Sequence, residues 1–310
     1  SVRIPFHYSL VEKAPGVANE KGLALLDWAV EQCARAGLYA ILDLHAAPGA
    51  QNQDWHGDST GQALLWESKI FQKRTAAIWK AVARRYVDEP AVAGYDVLNE
   101  SVTENILAVN RLYHDIVDAI RSVDDRHIVI LEGTQWAQRL DTLVSPFDDN
   151  SAYSIHFYHP HPFTFNWDTS AVYPGQIDGV KWNKSQMENA LKHSIDYSKK
   201  HNVPIYVGEF GIASRCAACH HELQWVRDAL NLFKKHRFHW SYWTYKSVGG
   251  AIFPDGLLQA HDRDFFFQRA EAKAGLERFA DYLKTRPEYL YDHLKTKHFE
   301  INKALLNILR

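Results

Sequence analysis

The apolar residues of this 310-residue chain fall into two kinds of run. Short, nearly continuous stretches occur at Val2 to Pro5, Leu38 to Leu44, Val92 to Leu98, His127 to Leu131, Ala152 to Tyr158, Pro204 to Glu209 and His239 to Thr244. Their length and their content of Val, Ile, Leu and Tyr read as strands buried on both faces. Between them apolar positions recur every three to four residues, the spacing of one helix face. The clearest case runs Ile106, Val109, Tyr113, Ile116, Ile120 and Val123, with Thr103 as the expected N-cap. Further helices are predicted over Glu20 to Ala36, Gln62 to Tyr86, Ser185 to His201 and Leu223 to Lys235. Strands alternating with helices imply parallel β-α-β units, because a parallel strand is reached only through a crossover. One long alternation without a glycine-rich nucleotide fingerprint favours an α/β fold of the closed (β/α)8 TIM type, here with seven recognisable strands. A single domain over 1–310 is expected, with about 286–310 as a C-terminal helical extension.

Composition narrows the function. A net charge of -2 and a pI near 6.8 give no electrostatic reason to expect nucleic acid or an anionic membrane as partner. No apolar run is long enough to span a bilayer. Three cysteines are too few for a disulfide scaffold. The aromatic content, with 10 Trp, 15 Tyr and 15 Phe, exceeds the needs of a core and suits a cleft that stacks on the apolar faces of sugar rings.

In a barrel of this type the chemistry gathers at the C-terminal ends of the strands. Polar residues recur there: Arg3, His45, Asn99 and Glu100, Glu132, His156 and Tyr158, Glu209, and Trp243 with Lys246. Two carboxyl groups that each follow an apolar strand, Glu100 and Glu209, are what glycosidic cleavage needs, one protonated to assist departure and one ionised. Burial raises a carboxyl pKa and a neighbouring cation or donor lowers it, so the two can be driven apart. Arg3 and Tyr158 are candidates to hold Glu209 ionised and fixed in place. Asn99 is placed to bind a sugar hydroxyl, Trp243 to form the floor under the reacting ring, and Glu132 to support from behind.

The strings Val2-Arg3-Ile4-Pro5, Leu42-Asp43-Leu44-His45, Leu98-Asn99-Glu100, Ser154-Ile155-His156-Phe157-Tyr158, Val207-Gly208-Glu209-Phe210-Gly211 and Tyr242-Trp243-Thr244 carry a resemblance. In order and spacing they are similar to glycoside hydrolase family 5. The resemblance implies a retaining double displacement with Glu100 as acid/base and Glu209 as nucleophile, and Arg3, His45, Asn99, His156, Tyr158 and Trp243 as the surrounding shell. It implies no cofactor and no metal, an oligo- or polysaccharide partner and a secreted or periplasmic setting. The segment from His45 to Asn52 resembles the corresponding loop of exo-β-1,3-glucanases, which tilts the substrate toward a β-glucan. Further subsites then fall to Trp55, Trp136, Trp167 and Trp182.

The chain opens at what the family places as its second strand. The expectation is an incomplete barrel lacking the first βα unit, with the open edge covered by the segment after Glu271 or by a second subunit. Cys216-Ala217-Ala218-Cys219-His220 matches a haem-attachment pattern or half a zinc site, and a loop thiol pair or local disulfide is the default reading. Cys33 sits at helical spacing from Leu23, Leu26 and Val30 and reads as core. His159 and His161, beside Pro160 and Pro162, are read as stiffening a long loop, and the run His261 to Asp264 as a solvated turn. Two rival readings are a metal-dependent hydrolase using His45, His156 and His159, and a non-catalytic carbohydrate-binding relative.

Overall fold

The computed structural model describes residues 1–144, 146–213, 221–246, 256–260 and 283–310. Seven strands form one sheet in chain order: β1 (Val2–His7), β2 (Ala40–Ala46), β3 (Val92–Asp96), β4 (Ile128–Glu132), β5 (Ser151–Phe157), β6 (Ile205–Phe210) and β7 (His239–Tyr242). Strands β1 to β5 are joined in parallel register. The longer helices between them are α1 (Glu20–Arg35), α2 (Lys69–Tyr86), α3 (Ile106–Arg121), α4 (Lys184–Ala190), α5 (Lys192–His201) and α6 (Glu222–His236). Each predicted strand is present, with boundaries moved by one or two residues; β2 to β6 are buried almost throughout, which leaves a strand little alternative, whereas β1 and β7 are mostly half-buried or exposed. By contacts the chain divides into two compact units, Ser1–His156 with His193–Gly208, and Phe157–Lys192 with Glu209–Arg310.

In the first unit, α3 shows why periodicity is a dependable signal. Val109, Leu112, Tyr113, Ile116 and Ile120 are fully buried along one face, while Leu107 on the other is exposed. Its start differs from the expectation. Asn105, not Thr103, is the N-cap, its Oδ1 accepting from the Ala108 N–H at 3.1 Å, while Thr103 Oγ1 accepts from the Asn105 N–H at 3.1 Å. Thr103 therefore braces the cap from two residues upstream, and either residue type satisfies an end that has no helical partner. The helix predicted over 62–86 is a short 3-10 turn, Leu64–Trp66, followed by α2, because Ser68 caps a new start by accepting from the Phe71 N–H. Cys33 is buried in α1 as expected.

The helix predicted over 185–201 is two, α4 in the second unit and α5, which falls in the first from His193 on, broken at Leu191. Asn183 caps the first by accepting from the Gln186 N–H, and Met187 is fully buried beneath it. The C-terminal extension is mixed rather than wholly helical. Helices Pro287–His293 and Lys303–Leu309 flank a strand, β9 (Phe299–Ile301), which pairs antiparallel with β8 (Leu258–Ala260). Phe299 is buried while Glu300 and Ile301 are exposed. Cys216, Cys219 and His220, the run His261 to Asp264, and the segment after Glu271 as far as residue 282 lie outside the described residues.

Candidate active site

The first unit builds its polar cluster on adjacent strand ends. Asp43 of β2 and Asp96 of β3 are register partners, so two carboxylates sit side by side inside an otherwise apolar sheet. Arg3 of β1 supplies the cation. Its guanidinium, 3% exposed, lies 3.1 Å from Asp43, 2.8 Å from Asp96 and 2.9 Å from Glu132, and Nη2 donates to Asn99 Oδ1 at 3.0 Å. A planar fork with five donors suits this shared role in a way that a lysine ammonium does not. Burial and the charge of Glu132 push the Asp96 carboxyl well above its ordinary value despite Arg3. Asn99 is fully buried, and its Nδ2 has no partner among the described residues, which leaves one amide donor uncommitted.

Three residues, Val97 to Asn99, separate the end of β3 from Glu100, which adopts a left-handed backbone, φ 49°. For a non-glycine residue this conformation costs roughly 1 to 2 kcal/mol and persists only where the surroundings impose it. They do so here. The Glu100 N–H donates to Glu132 Oε2 at 2.7 Å, and its carbonyl accepts from Asn52 Nδ2 at 3.0 Å. The carboxyl is held between two imidazoles, with His156 Nδ1 2.8 Å from Oε1 and His56 Nε2 2.9 Å from Oε2. Burial works to raise the Glu100 pKa, but the hydrogen bonds and charges of His156 and His56 outweigh it and hold the carboxyl well below its usual range. The side chain keeps 14% of its surface, enough for a substrate oxygen to reach it.

Glu132 proves to be the support predicted for it. It is fully buried, contacts Arg3, the Glu100 N–H and His156 Nε2 at 3.1 Å, and its carbonyl accepts from the Tyr113 hydroxyl of α3 at 2.9 Å. Burial raises its pKa, while His156 and Arg3 more than offset that, so it is held below its usual value. His156 therefore bridges two carboxylates. Its room comes from a glycine on the neighbouring strand: a Cβ at Gly208 would lie 2.7 Å from Ser154 Oγ and 3.2 Å from His156 Nε2. His45 is aligned by Asp43, Nδ1 to Oδ2 at 2.8 Å. Both histidines of the metal-site alternative in this unit are thus engaged by carboxylates.

After β4 the chain turns through three consecutive left-handed residues, Gln135, Trp136 and Ala137. This turn carries the half-buried Trp136, whose indole N–H donates to Asp54 Oδ2 at 2.7 Å. Trp55, next to Asp54, is 56% exposed.

In the second unit, Glu209 is 5% exposed and its Oε2 accepts from the Tyr158 hydroxyl at 2.8 Å, the contact expected from the sequence. Thr164 accepts the Ala213 N–H on its carbonyl and donates its hydroxyl to the Tyr158 carbonyl, which fixes the chain that carries this tyrosine. Trp243 follows β7, is half-buried, and donates its N–H to the Phe210 carbonyl at 2.8 Å. Of the remaining tryptophans, Trp167 is 57% exposed, whereas Trp182 is buried and stacks on His159 at 6.1 Å. His159 accepts the Trp225 indole N–H on its carbonyl, and His161 opens a short helix, His161–Thr164, stacked on Phe165.

Four contributors were missed in the sequence. Asp43 and Asp96 carried a readable signal, since an acidic residue inside an apolar strand must find a partner. Asn52 and His56 carried none, because a loop places them.

The cellulase model, glycosyl hydrolase family 5, matches residues 1–249. Endoglucanase C of Acetivibrio thermocellus is 30% identical over 285 residues, covering 81% of each chain. A beta-xylosidase of Phanerodontia chrysosporium is 30% identical over 266 residues, covering 80% of this chain and 54% of its own. Among solved structures, endoglucanase Cel5A of Thermotoga maritima superposes with a TM-score of 0.67 at 24% identity over 83% of this chain and 79% of its own. The fold is therefore of the (β/α)8 barrel type. With the family matched over most of its length, the chain belongs to glycosyl hydrolase family 5, the cellulase family, and is a retaining glycoside hydrolase.

Proposed function

We propose that this enzyme hydrolyses a β-glucan by double displacement, with Glu209 as nucleophile and Glu100 as acid/base. The observation that carries the assignment of Glu100 is its left-handed backbone, locked from four sides with the carboxyl between two imidazoles. Such strain is maintained at places where geometry is used. In the first step a Glu209 oxygen bonds to the anomeric carbon while the Glu100 proton passes to the departing glycosidic oxygen. In the second, Glu100 takes a proton from water as that water attacks the glycosyl ester, restoring both carboxyl groups and the β configuration.

The other residues serve these two. Tyr158 donates to Glu209 Oε2 and fixes the orientation of the carboxyl. Asn99 offers its uncommitted amide to the sugar 2-hydroxyl, a contact that strengthens in the oxocarbenium-like transition state. Arg3 neutralises the carboxylates below the site, His45 and His156 line it, and Trp243 and Trp136 contribute aromatic surface. A β-glucan is favoured because the A. thermocellus relative is named an endoglucanase and a T. maritima neighbour is described in complex with cellobiose. Another structure of that neighbour is described with mannotriose, so mannan is the second reading.

The test is reducing-sugar release from β-1,4-glucan, β-1,3-glucan, mixed-linkage glucan, mannan and xylan. Cleavage of a glucan that is lost in Glu209→Gln supports the proposal. Cleavage of mannan or xylan alone replaces the substrate, and unchanged activity in Glu209→Gln removes the nucleophile assignment.

A further inference from the structure

The loop after β2 folds back on itself and is pinned at each point. Trp66 donates its indole N–H to the Gln51 carbonyl at 2.8 Å, Gln51 Nε2 donates to the carbonyls of His45 and Asn99, and Trp136 donates to Asp54. The product of all this anchoring is the 3-10 turn Trp55–Gly57, which carries His56 to the Glu100 carboxyl. Fixing a loop histidine this firmly requires contacts from three separate segments. A ring that only filled space would not need them.

Two neighbours make opposite demands on His56 Nε2. Asn52 is oriented without ambiguity: its Oδ1 accepts from the Asp54 N–H at 3.0 Å, and its Nδ2 donates to the Glu100 carbonyl at 3.0 Å. Its NH2 group therefore faces His56 Nε2, 3.0 Å away, and is best served by a lone pair there. Glu100 Oε2, at 2.9 Å, is best served by a proton on the same nitrogen when ionised, and by a lone pair when it carries the proton itself. Around the pair lie His156 on the other Glu100 oxygen, Glu132 on the Glu100 N–H, and, among further neighbours, the His45 ring 6.0 Å from that of His56.

Ionised Glu100 pulls the proton onto His56. Asn52 favours the opposite arrangement, with neutral imidazole accepting and the carboxyl protonated. Protonated Glu100 is the form a general acid must be in. Resting on the assignment of Glu100 as acid/base, we propose that His56, oriented through Asn52, is a positioning residue that fixes the rotamer of the Glu100 carboxyl and aims Oε2 at the departing oxygen. When the proton leaves for the glycosidic oxygen, the carboxylate that remains is held by the same ring. The water of the second step then returns one proton to Glu100, so no outside donor is needed.

The experiment compares kcat/KM, which reports the first step, for cellotetraose and for 2,4-dinitrophenyl β-cellobioside, whose leaving group needs no protonation. His56→Ala is expected to lose about 10- to 100-fold on cellotetraose, a fraction of what general acid catalysis supplies, and less than about 3-fold on the dinitrophenyl substrate. His56→Gln, whose amide reaches the place of Nε2, is expected to recover part of the loss. Equal loss on both substrates means the loop merely holds the fold, and no loss on either means the ring is idle, and each overturns the proposal. Glu100→Ala run in parallel separates the premise. If it discriminates between the substrates, the acid/base reading stands and His56 is judged alone. If it does not, that reading falls and this one with it.

Discussion

Two of the first unit's groupings of carboxylate and histidine use the same residue types to opposite ends. Before β4, Asp124 is buried and accepts from the Tyr95 hydroxyl at 2.7 Å, the N–H groups of Arg126 and His127, and His127 Nδ1 at 2.6 Å. Most of these partners lie within three residues of it, as in a turn that a short side chain closes locally. Around Glu100 the partners come from the loop after β2, from β4 and from β5, and the backbone is forced left-handed to meet them. A cluster that stabilises is local, relaxed and sealed. A cluster that reacts is assembled from distant segments, is strained, and keeps an opening.

Glu100→Ala should break the contrast most visibly, lowering β-glucan hydrolysis by about 100- to 10,000-fold while the thermal midpoint stays near that of the wild type. Asp124→Ala should do the reverse, leaving kcat within about two-fold but removing roughly 3 kcal/mol from the unfolding free energy, because the buried groups it serves lose their partner. Denaturant titration against activity on one preparation reads both.

The Asp124 cluster should also answer to acid. Burial raises the Asp124 pKa, but the Tyr95 hydroxyl, the two backbone N–H groups and His127 outweigh this, so the folded value lies below the unfolded one. Its stabilisation is then complete above the unfolded pKa of about 4 and is lost as the pH falls through the lower folded value. Stability of wild type and Asp124→Asn should converge on that side of pH 4, and a difference that persists there would contradict the assignment.

Gly208→Ala tests the reactive cluster without touching its polar atoms. The new Cβ has to displace Ser154 or His156, and a shifted His156 is expected to cost about 10-fold in kcat. The smallest effect belongs to Asn105→Ala, about 1 kcal/mol from a lost helix cap with kinetics unchanged.

What the sequence disclosed follows the same division. Short apolar runs and helices with one apolar stripe are set by local pattern, so β1 to β7 and α3 were legible from residues such as Leu42, Tyr95 and Ile116. Helix starts were less so, because Thr103, Asn105 and Ser68 are all competent caps and only the path of the chain selects among them. Residues at strand ends, Glu100, Glu132, His156 and Glu209, could be named because a strand delivers its last residues to a defined place. Asn52 and His56 could not, since nothing periodic governs a loop and their positions depend on anchors at Trp66 and Trp136. Arg3 was recognisable as the cation of the site, but its company of Asp43, Asp96 and Glu132 emerges only from strand register.

The left-handed turn at Glu100 has an evolutionary corollary. A glycine there would relieve roughly 1 to 2 kcal/mol of backbone strain, so the fold could be made sturdier by discarding this carboxyl. Selection for thermal endurance alone would drift toward an inert barrel, and a stability screen blind to turnover should recover Glu100→Gly among its winners.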